Sequence, residues 1–385
     1  MSDLPLQGIR IIDACIYWAG PMATMLLADL GAEVIKIEPP WGSIGRVARG
    51  PLVGGASTIF HHLNLNKKGV ALNLKDPKGI NIFKELLKIS DIVVQNFAPG
   101  TMERLGLGYD VLKEINPKVI YAALSGFGQY GPYCNRPSYA AVAEAMSGHT
   151  RLTGDIVDPE GPPIQMAQAY GDLGPGTMAA MAIIAAIRHR DKTGMGQMID
   201  VAQLDCMLAY NTGITGYMLT GLKPHEIRQK YPRAHMIGGL KQTKDSKWIQ
   251  ISSHRPKAIE NLKQDLGVDE VTQEIFDKMI TEMNQEEAID YLVKIGVPVA
   301  PVYDLNDIEN DPHVKARDMI IEVEHPNAGK IKTVNFPIKY SETPVENIKP
   351  APTFGQHSSE VLKDLLGYTE EKLQELEREG VLVRG

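Results

Sequence analysis

The chain has 385 residues, of which 43% are hydrophobic and 23% charged, and this composition is typical of a folded globular protein. Its length favours two domains, or one large domain that carries a smaller one. The formal net charge of −7 at pH 7 argues against a nucleic-acid-binding protein, which needs a basic face or stripe.

The cysteines and the apolar segments indicate in which cellular compartment the protein is expected. Cys15, Cys134 and Cys206 are widely spaced and form no CxxC pair, so neither a disulfide framework nor a zinc site is expected. A reducing cytoplasm fits best. The N-terminus lacks the basic stretch and apolar core of a secretory signal. Residues 173–187 are apolar but short and interrupted by Gly-Pro-Gly, which predicts a buried helix and no membrane span.

The first half alternates short β-branched runs with helical stretches, the pattern of βαβ units in an α/β fold with a mainly parallel sheet. Predicted strands cover residues 8–14, 33–37, 70–74, 92–95 and 119–124, and predicted helices cover residues 21–30 and 77–89. Such sheets bind ligands beyond the carboxyl ends of their strands. The loops after Ala14, Gln95 and Leu124 are therefore the places to look for a site.

The composition changes near Lys223. A strand at 248–252, lysine- and glutamate-rich helices within 258–292 and an apolar segment at 297–302 predict a smaller α+β domain over residues 223–325. In the C-terminal part, the sequence pattern predicts one helix at residues 359–366 and a second, charged helix at residues 370–379.

Several common site motifs are absent from the sequence. The turn after the first strand reads CIYWAGP and not GxGxxG, so a nicotinamide cofactor is not favoured. No GxxxxGK[ST] phosphate loop, HExxH or GxSxG motif occurs.

A carboxylate stands among glycines at residues 170–176, YGDLGPG, directly before an Ala-rich helix. Asp172 at this place is readily interpreted as a helix N-cap that accepts a backbone N–H. Alternatively, the flanking glycines let a bulky thioester approach the carboxylate and leave N–H groups to stabilise an oxyanion. The two interpretations are compatible.

Other candidates have equally plain alternatives. Arg104, one turn into the helix after the strand at 92–95, could hold a phosphate with that helix N-terminus or be a solvated surface residue, and Lys75 is similar. Tyr139 could be a core or interface residue. Gly238 and Gly239 suit either a plain turn or a mobile flap.

Taken together, segments along nearly the whole chain resemble the family III CoA-transferases, a group that includes formyl-CoA:oxalate and carnitine-type enzymes and is related to α-methylacyl-CoA racemase. The matching segments are WAGP at 18–21, LGAEVIKIE at 30–38, NLNKKGVALNLK at 64–75, NFAPGTMERLG at 96–106, LSGFGQYGP at 124–132, GDLGPG at 171–176, RHRDKTGMGQMIDVA at 188–202 and FGQHSSEVLKDLLGY at 354–368.

The resemblance implies a fold and an assembly. It implies a large Rossmann-like CoA-binding domain with linker helices over residues 1–222, a small α+β domain over 223–325, and a C-terminal segment over 326–385 that returns to the large domain. It also implies that two chains form an interlocked homodimer. Some relatives work as heteromeric pairs, so a second kind of subunit stays open.

The resemblance also implies a mechanism. Asp172 matches the family nucleophile, which attacks the donor thioester to give a mixed anhydride and CoA thiolate. CoA then attacks the anhydride, which leaves an aspartyl-CoA thioester for the acceptor carboxylate. Coenzyme A enters as a substrate, and no tightly bound cofactor or metal is implied.

Further residues match the family by position. Lys75, Asn96, Phe97, Arg104 and Tyr139 match residues that line the CoA site. The expected acyl pocket or flap consists of Trp18, Ala140, Met236, Gly238 and Gly239.

Three departures bear on the reaction and its substrate. The racemase branch has a histidine where this chain has Tyr139, because racemisation needs an acid/base pair around the α-carbon, in which Asp172 would be the other member. The tyrosine therefore favours transfer. Formyl-CoA:oxalate enzymes carry glutamine at the place of Trp18 and glutamate at the place of Ala140, so oxalate is not expected. Trp18 and Met236 suit a larger, partly apolar or aromatic acyl group, although the tryptophan could equally fill a smaller pocket. A non-catalytic CoA-binding subunit is the remaining alternative, and Asp172 argues against it.

Overall fold

A computed structural model describes residues 4–48, 50–230, 238–252 and 255–385. The chain forms two compact units. The first comprises Met1–Gly221 and Met319–Gly385, and the second comprises Leu222–Asp318. The domain limits expected at residues 222 and 325 stay a prediction.

The helices and strands follow one another along both units. The strands are β1 (Arg10–Ala14), β2 (Glu33–Glu38), β3 (Leu52–Val53), β4 (Ala56–Ser57), β5 (Lys67–Leu72), β6 (Ile92–Gln95), β7 (Ile120–Ser125), β8 (Met198–Ala202), β9 (Gly238–Gln242), β10 (Trp248–Ser252), β11 (Val299–Pro301), β12 (Ile320–His325), β13 (Gly329–Val334) and β14 (Leu382–Val383). The helices are α1 (Ala19–Asp29), α2 (Ile44–Val47), α3 (Thr58–Leu63), α4 (Pro77–Lys88), α5 (Thr101–Arg104), α6 (Tyr109–Ile115), α7 (Ala140–Met146), α8 (His149–Val157), α9 (Tyr170–Thr193), α10 (Gln203–Tyr210), α11 (Thr212–Thr220), α12 (Pro224–Lys230), α13 (Pro256–Leu266), α14 (Gln273–Thr281), α15 (Gln285–Lys294), α16 (Leu305–Ile308), α17 (Pro312–Ala316), α18 (Ser358–Leu366) and α19 (Glu370–Arg378).

The first unit is built on one large sheet. Among the described residues it has seven strands in the order β14-β5-β2-β1-β6-β7-β8. Neighbouring strands are parallel except for β14, which pairs antiparallel with β5. The predicted α/β fold with a mainly parallel sheet is therefore confirmed.

The sheet is covered on both faces. Because successive side chains of a strand point to opposite faces, Ile11 and Val94 enter one core while Ile12 and Val93 enter the other. All four side chains are fully buried. This explains why the central strands read as continuous apolar runs and not as alternating ones.

Helix α9 packs in the first of these cores. Within the described residues it is the one helix long and apolar enough to cross a membrane by length and composition. Core helices of globular proteins meet the same criterion. Ala179, Ile183 and Ala186 of α9 are buried in the core cluster that includes Ile11.

Predicted element limits mostly agree with the structure, and β5 is an informative exception. The prediction was a strand at residues 70–74, but β5 runs from Lys67 to Leu72. Consecutive lysines at 67 and 68 resemble a polar turn. Lys67 is nevertheless buried, because its ammonium group meets a carboxylate inside the protein.

The second unit has a small antiparallel sheet in the order β11-β10-β9. Ile249 and Ile251 of β10 pack against Phe276 and Leu292 from the unit's helices in a separate core. The observed strand β10 coincides with the predicted one at 248–252.

Candidate active site

Asp172 lies in the first turn of α9, at the third helical residue. Gln203, the first residue of α10, donates a hydrogen bond from Nε2 to Asp172 Oδ1 at 2.5 Å. An ionised carboxylate only accepts hydrogen bonds, so the Gln203 amide must turn its NH₂ group towards Asp172. Ser138 completes the arrangement, since its Oγ lies 3.2 Å from Gln203 Oε1 and can donate to it.

The starts of α7, α9 and α10 meet around Asp172. A Cβ atom added at Gly171 would lie 2.5 Å from the carbonyl oxygen of Ala140, the first residue of α7, so glycine is needed for this close approach. The starts of α9 and α10 are linked by the Gln203–Asp172 hydrogen bond. Helix N-termini carry partial positive charge, which favours an ionised carboxylate and negative charge that develops beside it.

A buried glutamate accepts a hydrogen bond from one backbone N–H in the first turn of α9. Glu144 of α7 is 1% exposed, and its Oε1 accepts from the backbone N–H of Gly171 at 2.9 Å. The N-cap residue of α9 is Ala169. The interpretation of Asp172 as the N-cap is therefore wrong, because Asp172 is already inside the helix and another carboxylate bonds the N–H of Gly171.

The other glycines near Asp172 serve helix packing. A Cβ at Gly176 would lie 2.6 Å from the carbonyl oxygen of Ala19, where α9 crosses α1. A Cβ at Gly174 would lie 2.7 Å from Cε2 of Tyr210. Pro175 follows within the helix and has no N–H to donate.

The switch point of the sheet lies between β1 and β6, since β2 and β5 follow on one side and β7 and β8 on the other. Asn96, directly after β6, bonds both backbone groups of Ile16 in the loop after β1. Its Oδ1 accepts from the Ile16 N–H, and its Nδ2 donates to the Ile16 carbonyl, each at 2.7 Å. Ligands in open α/β sheets bind at such switch points.

The same loop reaches the start of α7. Tyr17 has a φ of 57°, a left-handed backbone conformation that is strained for a residue with a side chain. Its ring packs edge-on against the Tyr139 ring, with centroids 5.6 Å apart. Tyr139 immediately precedes α7 and is 60% exposed. The structure therefore brings Asn96, the loop that contains Trp18, and Tyr139 next to the cluster formed by Asp172, Gln203 and Ser138.

A buried charge cluster lies beneath this loop and was not predicted. Asp13 pairs with Lys67 at 3.0 Å, with both side chains fully buried, and Asp13 Oδ1 accepts from the Cys15 N–H. Lys36 Nζ donates to the Cys15 carbonyl, and Lys67 Nζ donates to the Pro21 carbonyl, each at 3.0 Å. Both ends of the loop are thus held by buried ammonium groups.

The charge states in this cluster follow from its geometry. Burial alone would raise the pKa of Asp13, but Lys36 and Lys67 together hold that pKa well below its usual range. Burial lowers the pKa of Lys67 to about 8, although Asp13 acts in the opposite direction. Asp13 and Lys36 are charged residues that interrupt the apolar runs of β1 and β2, and this is the signal in the sequence that could have revealed the cluster.

The remaining candidates for the CoA site, Phe97, Arg104 and Lys75, each make local contacts away from Asp172. Phe97 is half-buried, and its N–H donates to Gln95 Oε1 at 2.8 Å. Arg104 is exposed and donates from Nη2 to Thr101 Oγ1 at 2.8 Å. Lys75 is exposed, with Nζ 5.0 Å from the ring centroid of Trp41. Among the described residues, no contact of Lys75 or Arg104 with Asp172, Gln203 or Ser138 is seen.

The residues expected in the acyl pocket or flap are divided between the units. Trp18 is half-buried just before α1, and Ala140 is buried at the start of α7. Gly238 and Gly239 begin β9, opposite Ser252 and Ile251 of β10. Met236 lies outside the described residues. In the described part of the chain, no group of three or more His, Cys, Asp or Glu side chains could hold a metal ion.

The fold and this geometry define an α/β protein with a carboxylate at helix N-termini beside the switch point of a parallel sheet. A sequence model described as CoA-transferase family III matches residues 6–358. The chain therefore belongs to CoA-transferase family III. It is a CoA-transferase, an enzyme that moves coenzyme A between an acyl-CoA and a carboxylic acid, and CoA compounds are its substrates.

Named relatives match over nearly the whole chain. Succinyl-CoA:glutarate CoA-transferase of Homo sapiens is 35% identical, over 98% of this chain and 90% of the relative. The beta subunit of succinyl-CoA–L-malate CoA-transferase of Chloroflexus aurantiacus is 32% identical over 99% of both chains. Formyl-CoA:oxalate CoA-transferase of Streptomyces coelicolor is 31% identical, over 99% of this chain and 100% of the relative.

A solved structure agrees with this assignment. The crystal structure of a CAIB/BAIF family protein from Brucella suis superposes with a TM-score of 0.83 at 28% identity. The match covers 94% of this chain and 100% of that chain.

Proposed function

We propose that this chain transfers coenzyme A from an acyl-CoA to a free carboxylic acid by covalent catalysis on Asp172. The carboxylate attacks the thioester carbonyl and expels CoA thiolate, which gives a mixed anhydride. The thiolate then attacks the Asp172 carbonyl carbon and releases the donor acid. The acceptor carboxylate then attacks the aspartyl-CoA thioester, which gives a second mixed anhydride and releases CoA thiolate. The thiolate attacks the acyl carbon of the acceptor, which forms the new acyl-CoA and regenerates the Asp172 carboxylate.

The observation that carries this proposal is the placement of Asp172. Its carboxylate lies at the start of a 24-residue helix and accepts a hydrogen bond from Gln203 at 2.5 Å. Both features favour the ionised, nucleophilic form and would stabilise the thiolate and oxyanions that form beside it.

The CoA moiety is proposed to lie along the carboxyl edge of the sheet, at Asn96, Phe97 and Tyr139. Exposed Arg104 and Lys75 would then meet phosphates of the nucleotide end, because no carboxylate within the described ranges pairs with either side chain. The flap role of Gly238 and Gly239, at the start of β9, stays a prediction.

The substrate proposal starts from the relatives. Two of those described above use succinyl-CoA, so succinyl-CoA is the first donor to test here. Trp18 and Ala140 stand where formyl-CoA:oxalate enzymes carry polar side chains, so the proposed pocket also admits larger, partly apolar or aromatic acids and disfavours oxalate.

The active form is proposed to be an interlocked homodimer. Large apolar side chains are exposed along α9 and α11 of the first unit. Met181 and Ile184 of α9 are 65% and 41% exposed, and Met218 and Leu219 of α11 are 69% and 80% exposed. Exposed apolar side chains of this kind support an interface with a second copy of the chain.

The deciding experiment is mass spectrometry of the protein after incubation with succinyl-CoA, an aromatic acyl-CoA and other donors. Hydroxylamine or borohydride trapping is followed by peptide mapping. We expect a donor-dependent adduct on Asp172 and none on the Asp172→Asn variant. If no donor modifies the wild-type protein but an α-proton of an acyl-CoA exchanges in deuterium oxide, the racemase alternative replaces this proposal. Adduct formation that requires a second gene product would replace the homodimer with a heteromer.

A further inference from the structure

Gln203 Nε2 donates a hydrogen bond to Oδ1 of the Asp172 carboxylate. Gln203 itself is 7% exposed, so this donor is largely shielded from water and acts at low local dielectric. A donor held in such a place before the reaction costs no reorganisation when charge develops on its acceptor.

We propose that Gln203 is the oxyanion donor for chemistry at the Asp172 carbonyl carbon, and that Ser138 is its positioning residue. This inference rests on the proposed covalent mechanism. It assigns Oδ2 as the oxygen that attacks the donor thioester and Oδ1 as the oxygen that stays on the aspartyl group.

The assignment follows from how the charge on Oδ1 changes. When Oδ2 attacks the thioester, Oδ1 becomes a carbonyl oxygen and loses negative charge. When the CoA thiolate then attacks Cγ, the electron pair of the Cγ–Oδ1 double bond moves onto Oδ1. The oxyanion collapses, the bond from Cγ to the bridging oxygen breaks, and the donor acid leaves as a carboxylate with that electron pair. No proton is gained or lost.

The Gln203 hydrogen bond therefore strengthens in the second step and weakens in the first.

The structure supplies the orientation of the Gln203 amide that this role needs. Ser138 lies on the other side of the amide, and its hydroxyl can donate to Oε1. A flipped amide would set Oε1 against the carboxylate, so both neighbours favour the same rotamer. The backbone of Gln203 is fixed because it starts α10, whose next N–H, that of Leu204, bonds the Gly126 carbonyl at 3.1 Å.

The test is a rapid-quench comparison of wild type, Gln203→Met and the control Gln197→Met, each mixed with an acyl-CoA that labels the wild type. Methionine has a similar length but no N–H. Gln197 is an exposed glutamine just before β8, so its variant should react like the wild type. Hydroxylamine reacts with both intermediates and measures total acyl capture. The intact mass of the acid-quenched protein shows how much of it carries CoA, which is the aspartyl-CoA thioester, and so measures the second step.

We expect Gln203→Met to form the aspartyl-CoA thioester about 10²-fold or more slowly, the usual loss for one oxyanion donor, while acyl capture changes much less. Ser138→Ala should show a smaller loss in the same second step, because the amide is then less firmly oriented. Should Gln203→Met fail to fold, Gln203→Asn withdraws the amide by one methylene and gives the same test.

Thioester formation at the wild-type rate in a folded Gln203 variant would overturn the inference, and so would an equal slowing of both steps, which indicates a structural role. Either result leaves the Asp172 adduct of the wild type intact. Absence of any adduct in the wild type would instead remove the covalent mechanism.

Discussion

Asp29, the last residue of α1, is 4% exposed and accepts a hydrogen bond from Asn66 Nδ2 at 2.6 Å. Burial raises the pKa of this carboxyl group to about 7, from a usual value of 3.8, although the Asn66 hydrogen bond and the charge of Lys67 act in the opposite direction. The folded protein therefore holds a proton that the unfolded chain releases between these two values. The contribution of Asp29 to the free energy of unfolding should therefore fall as pH rises through that window and stay level above it.

The Asp29→Asn variant tests this sign. Asparagine keeps an oxygen for Asn66 but has no proton to lose. Its stability relative to wild type should therefore improve by a few kcal/mol between about pH 4 and about pH 7, and no further above that. Urea unfolding at several pH values measures the difference. The change Asp364→Asn removes an exposed carboxylate and serves as the control. A stability difference between Asp29→Asn and wild type that does not change with pH would contradict the prediction.

Single residues were predictable from the sequence to different degrees. Asp172 could be selected because its glycine-rich context is local and matches a family motif. Gln203 could not, since it lies 31 positions away and the contact exists only because α9 and α10 start side by side. Asp13, Lys36 and Lys67 were missed for a related reason, because local patterning treats each charge as a surface residue.

At the scale of elements, the close approach of α7 and α9 controls where Asp172 lies. A Cβ at Gly171 would lie 2.5 Å and 2.8 Å from the carbonyl oxygen and Cα of Ala140. These are backbone atoms, so the Gly171→Ala change must separate the two helices. We expect kcat/KM to fall about 10²-fold, since small displacements of a reacting group are costly.

A matched change in the same helix provides the comparison. A Cβ at Gly174 would meet the Tyr210 ring, which can rotate away. The Gly174→Ala variant should therefore lose much less activity than Gly171→Ala. Steady-state kinetics on both variants, with thermal unfolding to confirm that they fold, makes the measurement. Equal losses would show that helix separation at Gly171 does not control the site.

Elements with strong periodicity or apolar continuity were predictable. The limits of β6 and β10 agree with the sequence, and α4 begins at the predicted Pro77. The start of β5 was not predictable, because Lys67 is compensated by Asp13, which lies 54 residues away. The hairpin of β12 and β13 escaped prediction too, since its strands mix charged and apolar residues without a buried run.

At the scale of the whole molecule, α11 has no buried residue in the chain as described here. If its apolar side chains face a second copy, glutamate there should weaken the dimer. We expect the double change Met218→Glu and Leu219→Glu to shift the protein towards monomer in sedimentation equilibrium. Leu305→Glu is the matched control, since Leu305 is 89% exposed in the second unit. An unchanged mass for the double variant would count against α11 as the interface.

The assembly could not be predicted from the sequence by physical reasoning alone. Periodicity shows which face of a helix is apolar, but it does not show whether that face meets the same chain or another one. Only the resemblance suggested two interlocked chains, and the exposed residues of α9 and α11 are compatible with it.

The pairing of β14 with β5 has a consequence for biosynthesis. Leu382 lies beside Leu72, so one edge of the large sheet is covered by a strand that is translated 310 residues after the strand it pairs with. Until then, a nascent chain would present β5 as an open strand able to pair with neighbouring chains. The whole second unit is translated before that edge can close. Chaperone demand during synthesis should therefore last until β14 has been translated, and changes in β14 that prevent its pairing with β5 should cause aggregation more than loss of catalysis.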